Sequence, residues 1–225
     1  MNAPMQSAKK ASALNFSAIA LAVASAVLLT GCNTLERSTS LANPAVAPAV
    51  IAQQVCSNCH GVDGNAESPN FPNLAAQQEP YLIAQLQGFK SHGRSDPAGF
   101  EYMWGLSKYL TDEQIVGLAA YYAKQKTKPT WQSRHTPSAN ADGKKIFEEG
   151  IAASSVPACK SCHGMDAQGA ATFPRLAGQH ADYTVKQLMV FQRTDERPEG
   201  GVMKGITHLL TQENMEAVAA YLETL

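Results

Sequence analysis

Apolar residues recur at helical spacing in two pairs of matched stretches. Behind Pro80, the residues Tyr81, Leu82, Gln85, Leu86 and Phe89 share one face, and a proline suits the first turn of a helix. This spacing predicts a helix to about Ser91, with a counterpart from about Ala181 to Arg193. A further helix opens at the capping-box sequence Thr111-Asp112-Glu113-Gln114 and places Ile115, Leu118, Ala119 and Tyr122 together. Its counterpart starts at Thr211 and carries Met215, Val218, Ala219 and Leu222. A short helix is expected over Lys144 to Glu149 after an Asp142 cap, with Val50 to Val55 as its weaker equivalent. No stretch alternates apolar and polar residues well enough to read as a strand. The expected fold class is all-α.

The matching extends beyond the helices to an internal duplication. Phe71-Pro72-Asn73-Leu74 pairs with Phe173-Pro174-Arg175-Leu176, Gln77 and Tyr81 with Gln179 and Tyr183, and Gln85-Leu86 with Gln187-Leu188. Met103 and Gly105 pair with Met203 and Gly205, and Ala119-Ala120-Tyr121 with Ala219-Ala220-Tyr221. The offset drifts from 103 to 102 to 100, so the length changes fall in polar, Gly- and Pro-rich loops that tolerate them. Lys126 to Gly143 is rich in Pro, Ser and Thr and reads as a connection. The resulting boundaries are a first domain over 49–128, a linker over 129–139 and a second domain over 140–225. Domains this small bury little apolar surface unaided.

Each copy also opens on the same chemistry. Cys56-Ser57-Asn58-Cys59-His60 and Cys159-Lys160-Ser161-Cys162-His163 are C-x-x-C-H motifs, the pattern by which c-type haem is attached. Two thiols one helical turn apart can add to the vinyl groups on one porphyrin edge, and the adjacent His then faces the iron. Four of the five cysteines are used in this way, which leaves no disulfide scaffold. A zinc site built from two distant Cys pairs, or a thioredoxin-like dithiol, is the alternative. The zinc reading leaves the His after each pair unexplained, and a thioredoxin-like dithiol should follow a buried strand, which neither copy does. The expected cofactors are two covalently bound haem c groups.

The proximal iron ligands are then His60 and His163. For the opposite face, Met103 is the sole methionine of the first domain, and the repeat selects Met203 as its partner. Met165 lies too close to His163, while Met189 and Met215 fall on apolar helix faces. The rival is a second histidine from His92, His135, His180 or His208, none of which recurs and each of which reads by default as a surface residue. A thioether ligand with burial raises the reduction potential and fills the sixth position, which leaves no open iron for peroxide chemistry. The carbonyls of Pro72 and Pro174 either hold the His rings or belong to residues that merely shape a turn. Arg94, Arg193 and Arg197 are candidate propionate partners, with a solvated arginine as the alternative.

Lys9 and Lys10 precede a run from Asn15 to Thr30 dominated by Ala, Val, Leu and Ile. That run is short for a spanning helix, which needs ~20 apolar residues, and suits the core of a signal peptide over 1–31. Leu29-Thr30-Gly31-Cys32 resembles a bacterial lipoprotein box, which implies cleavage before Cys32 and lipidation of that residue. A bare signal peptide is the alternative. Residues 32–48 read as a flexible tether. Removing the leader takes two lysines and no acid, which leaves a net charge of about −3 and no basic face for nucleic acid.

Taken together, these residues resemble the cytochrome c4 family. The likeness runs from about Val50 to Leu225 and rests on two CxxCHG motifs, the paired Leu74–Tyr81 and Leu176–Tyr183 segments, and a Met before a Thr-capped final helix. It implies two class I cytochrome c folds related by a pseudo-twofold axis. It also implies a periplasmic electron carrier from a bc1-type donor to a terminal oxidase, often of the cbb3 type. The haem subunit of a periplasmic dehydrogenase is the second reading. Ala76 departs from the family pattern where the second copy has Gly178, and the loop before Met103-Trp104-Gly105 is longer.

Overall fold

The computed structural model describes residues 40–129 and 137–225. The leader, Cys32 and His135 lie outside them. Among the described residues there are helices and two isolated bridges, Ile151 with Val156 and Ala170 with Phe173, and no strand. The first copy is built from α1 (Pro48–Ile51), a π-helical segment (Ala52–Cys56), α2 (Ser57–His60), α3 (Glu79–Lys90), a second π-helical segment (Gly99–Met103), α4 (Trp104–Ser107) and α5 (Asp112–Ala123). The second has α6 (Pro137–Glu149), α7 (Lys160–His163), α8 (Ala181–Arg193), α9 (Gly201–Thr207) and α10 (Gln212–Glu223). No helix here is long and apolar enough to cross a membrane.

Each copy packs its opening and closing helices together, α1 on α5 and α6 on α10. The third helix, α3 or α8, lies against the closing one. The faces read from the sequence are the buried ones: Ile115, Leu118, Ala119 and Tyr122 in the first core, and Val218 and Leu222 with Ile146 and Phe147 in the second. Met215 is buried in a satellite cluster with Val156 and Leu210, and Met189 packs against it. Both closing helices start with a full capping box. Thr111 is bonded by Gln114, and Thr211 reciprocates with Asn214.

Two expectations shift. Helix α6 begins at Pro137 instead of after Asp142, since proline is tolerated in a first turn and nothing downstream breaks the helix. Gly143 is therefore not connection but a crossing point, because a Cβ there would clash with the Ala217 carbonyl on α10. The end of the 32–48 segment is also docked rather than free. Val46 is buried in the first core, Leu41 packs against it, and Gln114 donates to the Asn43 and Val46 carbonyls. An apolar pair in a polar stretch had too little pattern to read as packing.

Ala76 and Gly178 hold the same turn, each donating its N–H to a carbonyl at the end of the closing helix, Tyr122 or Leu222. Both have positive φ, 53° and 72°. Only Gly178 adopts that region without a Cβ penalty. Ala76→Gly is expected to stabilise the first domain by about 0.5–1 kcal/mol, the relieved strain less the greater freedom of glycine in the unfolded chain. A denaturant midpoint unchanged or lowered would count against this.

Candidate haem sites

The two histidines are presented identically. Cys56 caps α2 and Cys159 caps α7, so the second thiol of each pair follows one turn later and the His closes the helix. Gly61 and Gly164 then turn the chain away at positive φ. His60 and His163 are buried, and burial pushes the pKa of each down, against the pull of its carbonyl partner, which favours the neutral ring. Nδ1 of His60 lies 2.9 Å from the Pro72 carbonyl oxygen, and Nδ1 of His163 lies 3.0 Å from that of Pro174. A carbonyl only accepts, so Nδ1 carries the proton and Nε2 keeps its lone pair free. The proline carbonyls thus orient the rings, and each Phe of the F-P pair, Phe71 or Phe173, meets its His in an edge-to-face contact.

Met103 ends the second π-helical segment and Met203 lies within α9, both half-buried. Their carbonyls accept from Ser107 and Thr207 at 2.7 and 2.8 Å, so the segments correspond although one is π-helical. In the first copy Phe71 meets both His60 and Tyr102, which draws the His loop toward the Met segment. Val202 replaces Tyr102 in the second copy and is exposed.

The thiols argue against thiolate chemistry. None of the four described cysteines is in a disulfide, and burial pushes the Cys56 and Cys159 thiols up to about 11. A reactive dithiol needs the opposite shift. Among the described residues no three His, Cys, Asp or Glu side chains gather as a metal cage. The arrangement fits a haem instead: paired thiols, a neutral imidazole with its lone pair held outward, and an unsatisfied cation. That cation is Arg175, next to Pro174, whose Nε is buried with no protein partner, as expected for a group that meets an acid from outside the chain.

The other arginines have a different role. Arg193 is exposed, whereas Arg94 and Arg197 are buried between the copies. Arg94 donates to Gln85 at 2.6 Å and Gln187 at 3.2 Å, and Arg197 donates to Gln187 at 2.6 Å and Gln85 at 2.8 Å. Arg94 is neutralised by Asp96 and Arg197 by Glu199. His180 is likewise not a surface residue. It is 5% exposed, with Nε2 2.9 Å from the Ala66 carbonyl oxygen of the first copy. Asp96 escaped the sequence reading, and Gln85 and Gln187 entered it only as repeated positions on a helix face, with no role between the copies. The available signal was a glutamine recurring on an otherwise apolar helix face.

The family model described as Cytochrome c matches residues 47–126 and again 140–225. The structure of reduced recombinant cytochrome c4 from Pseudomonas stutzeri superposes with a TM-score of 0.70 at 36% identity, covering 80% of this chain and all of that one. The chain belongs to the cytochrome c4 family. Cytochrome c-552 of Acidithiobacillus ferridurans is 41% identical over 172 residues, 76% of this chain and 73% of its own length. A protein of Thiomonas intermedia named thiosulfate dehydrogenase electron acceptor is 32% identical over 170 residues, 74% of this chain and 76% of its own. Family membership makes the protein a dihaem electron carrier with two covalently bound haem c groups, an electron-transfer protein and not an enzyme.

Proposed function

We propose that this family member is a lipid-anchored periplasmic carrier that takes single electrons from a bc1-type complex and delivers them to a terminal oxidase, including the cbb3 type. Cys56 and Cys59 would hold one haem by thioether bonds, and Cys159 and Cys162 the other. His60 with Met103, and His163 with Met203, would ligate the two irons. When bound, haem supplies one-electron exchange between ferric and ferrous iron. The chain's own part is to fix each imidazole through a proline carbonyl, with the flanking Phe ring packed edge-to-face on it. The observation that carries this reading is the duplicated His–Pro contact, 2.9 Å in one copy and 3.0 Å in the other. Lipid on Cys32 is supported by the lipoprotein-like sequence before it. Several acyl chains anchor stably where one does not.

A dehydrogenase-associated carrier is the second reading, favoured by the likeness to the thiosulfate dehydrogenase electron acceptor. Reduced protein mixed with washed envelope membranes in air is expected to reoxidise, and cyanide is expected to stop it. Reduction by a thiosulfate-oxidising fraction, with no membrane-dependent reoxidation, would favour the second reading instead. For the anchor, Cys32→Ala is expected to move the protein from the membrane pellet to the supernatant of a high-salt wash. Unchanged retention would sink the lipid assignment.

A further inference from the structure

The peptide group that orients each histidine is itself gripped from the opposite domain. The Pro72 carbonyl accepts from His60, and the N–H of that same peptide, on Asn73, donates to Oε1 of Gln179 at 2.8 Å. The second copy repeats this in reverse. The Pro174 carbonyl accepts from His163, and the Arg175 N–H donates to Oε1 of Gln77 at 2.6 Å. Each glutamine closes the grip with its amide, Gln179 Nε2 to the Asn73 carbonyl at 3.0 Å and Gln77 Nε2 to that of Arg175 at 2.9 Å. Both side chains are buried. Their orientation is determined, because each Oε1 also receives the next backbone N–H, from Gln78 or His180, which a nitrogen cannot accept.

Hydrogen bonds in series polarise one another. Donation from the Asn73 N–H toward Gln179 enriches the Pro72 oxygen, which then pulls harder on the His60 proton. A ring so polarised is the stronger donor at Nε2. Stronger donation favours the more positively charged, oxidised iron. We propose that Gln179 and Gln77 are positioning residues that hold down the reduction potential of the haem in the opposite domain, each acting through the peptide that grips the proximal histidine. The wiring is crossed: Gln179 of the second domain acts on the first haem, and Gln77 of the first acts on the second. Docking of the two domains is thereby part of each haem's electrochemistry. This rests on His60 and His163 being iron ligands.

The test is an NMR-monitored redox titration of the full dihaem protein, with haem methyl signals assigned to each domain and the axial His Nδ1–H signals followed. Gln179→Leu keeps the site dry but removes the acceptor. It is expected to raise the first haem's potential, changing its oxidised-to-reduced ratio at fixed poise roughly two- to fivefold, the scale of cooperative strengthening of a charge-assisted hydrogen bond. The His60 proton signal should move and that of His163 should not. Gln77→Leu is expected to do the same to the second haem. Gln179→Glu, ionised at about pH 9, is a stronger acceptor and should shift the first haem the other way. A merely structural role would move both haems, or move them in one direction for both replacements, and either result overturns the proposal. So does a shift confined to the haem of the substituted domain, or none at all. A wild-type spectrum lacking imidazole–thioether coordination overturns the ligand reading and the relay together. An intact spectrum with uncrossed shifts overturns the relay alone.

Discussion

Replacing both Cys159 and Cys162 with alanine leaves one covalently bound haem per chain instead of two. Thioether formation needs a thiol at each vinyl group, and Cys56 and Cys59 lie in a separate domain with its own core. The second domain should then fail as a folded unit. Its cores gather only a few fully buried large side chains, chiefly Phe147, Met215 and Leu222, and a domain of that size needs its cofactor as packing. The loss should spread across the interface, because Arg94 and Asp96 find Gln187 there, and Asn73 finds Gln179. The check is haem content after acid-acetone extraction, with helicity followed by circular dichroism. Two retained haems in the variant would sink the assignment of these cysteines.

Asp96→Asn is expected to cost about 3–5 kcal/mol, the range for removing one partner of a buried ion pair. Asp96 is 1% exposed and receives Arg94 through both oxygens, at 2.8 and 3.2 Å, with Gln187 at 3.3 Å. Two guanidiniums share this buried region, so the neutral replacement leaves Arg94 uncompensated beside Arg197. Glu199→Gln is the contrast. That carboxylate is 34% exposed on the rim, so water reaches its pair with Arg197, and with Asp96 still beside that guanidinium the cost should be clearly smaller than for Asp96→Asn. Denaturant unfolding of the holoprotein measures both. Equal costs would mean the network is not the interface lock described here.

The same pair sets a pH dependence. Burial would push the Asp96 carboxyl up, but the Arg94 hydrogen bonds and charge, with Arg197 behind them, outweigh burial and hold it below the usual carboxylate range. A depressed folded pKa contributes stability that is complete above the unfolded value, about 3.9, and is lost as pH falls through the folded one. The stability gap between wild type and Asp96→Asn should therefore be constant from about pH 5 upward and close below about pH 4. A gap that widens in acid would contradict the assignment.

The sequence alone determined what short-range chemistry controls. Helical periodicity placed α3, α5, α8 and α10, Thr111 and Thr211 marked the caps of α5 and α10, and the C-x-x-C-H spacing pointed to haem twice over. The repeat paired Pro72 with Pro174, and the geometry resolved the two readings of them: both carbonyls meet a His ring. These signals are legible because the interacting residues lie within a few positions of one another, or recur at one offset. What only the tertiary structure decided is which polar side chains cross between the domains. Gln77, Gln179, Arg94, Asp96 and His180 each carry the local pattern of a solvated residue, and Leu41 to Pro48 carry no helical or strand period that would mark them as packing. For the interface residues, burial depends on partners about a hundred positions away. A buried amide or guanidinium is tolerable only where such a partner replaces water, and no local spacing encodes that.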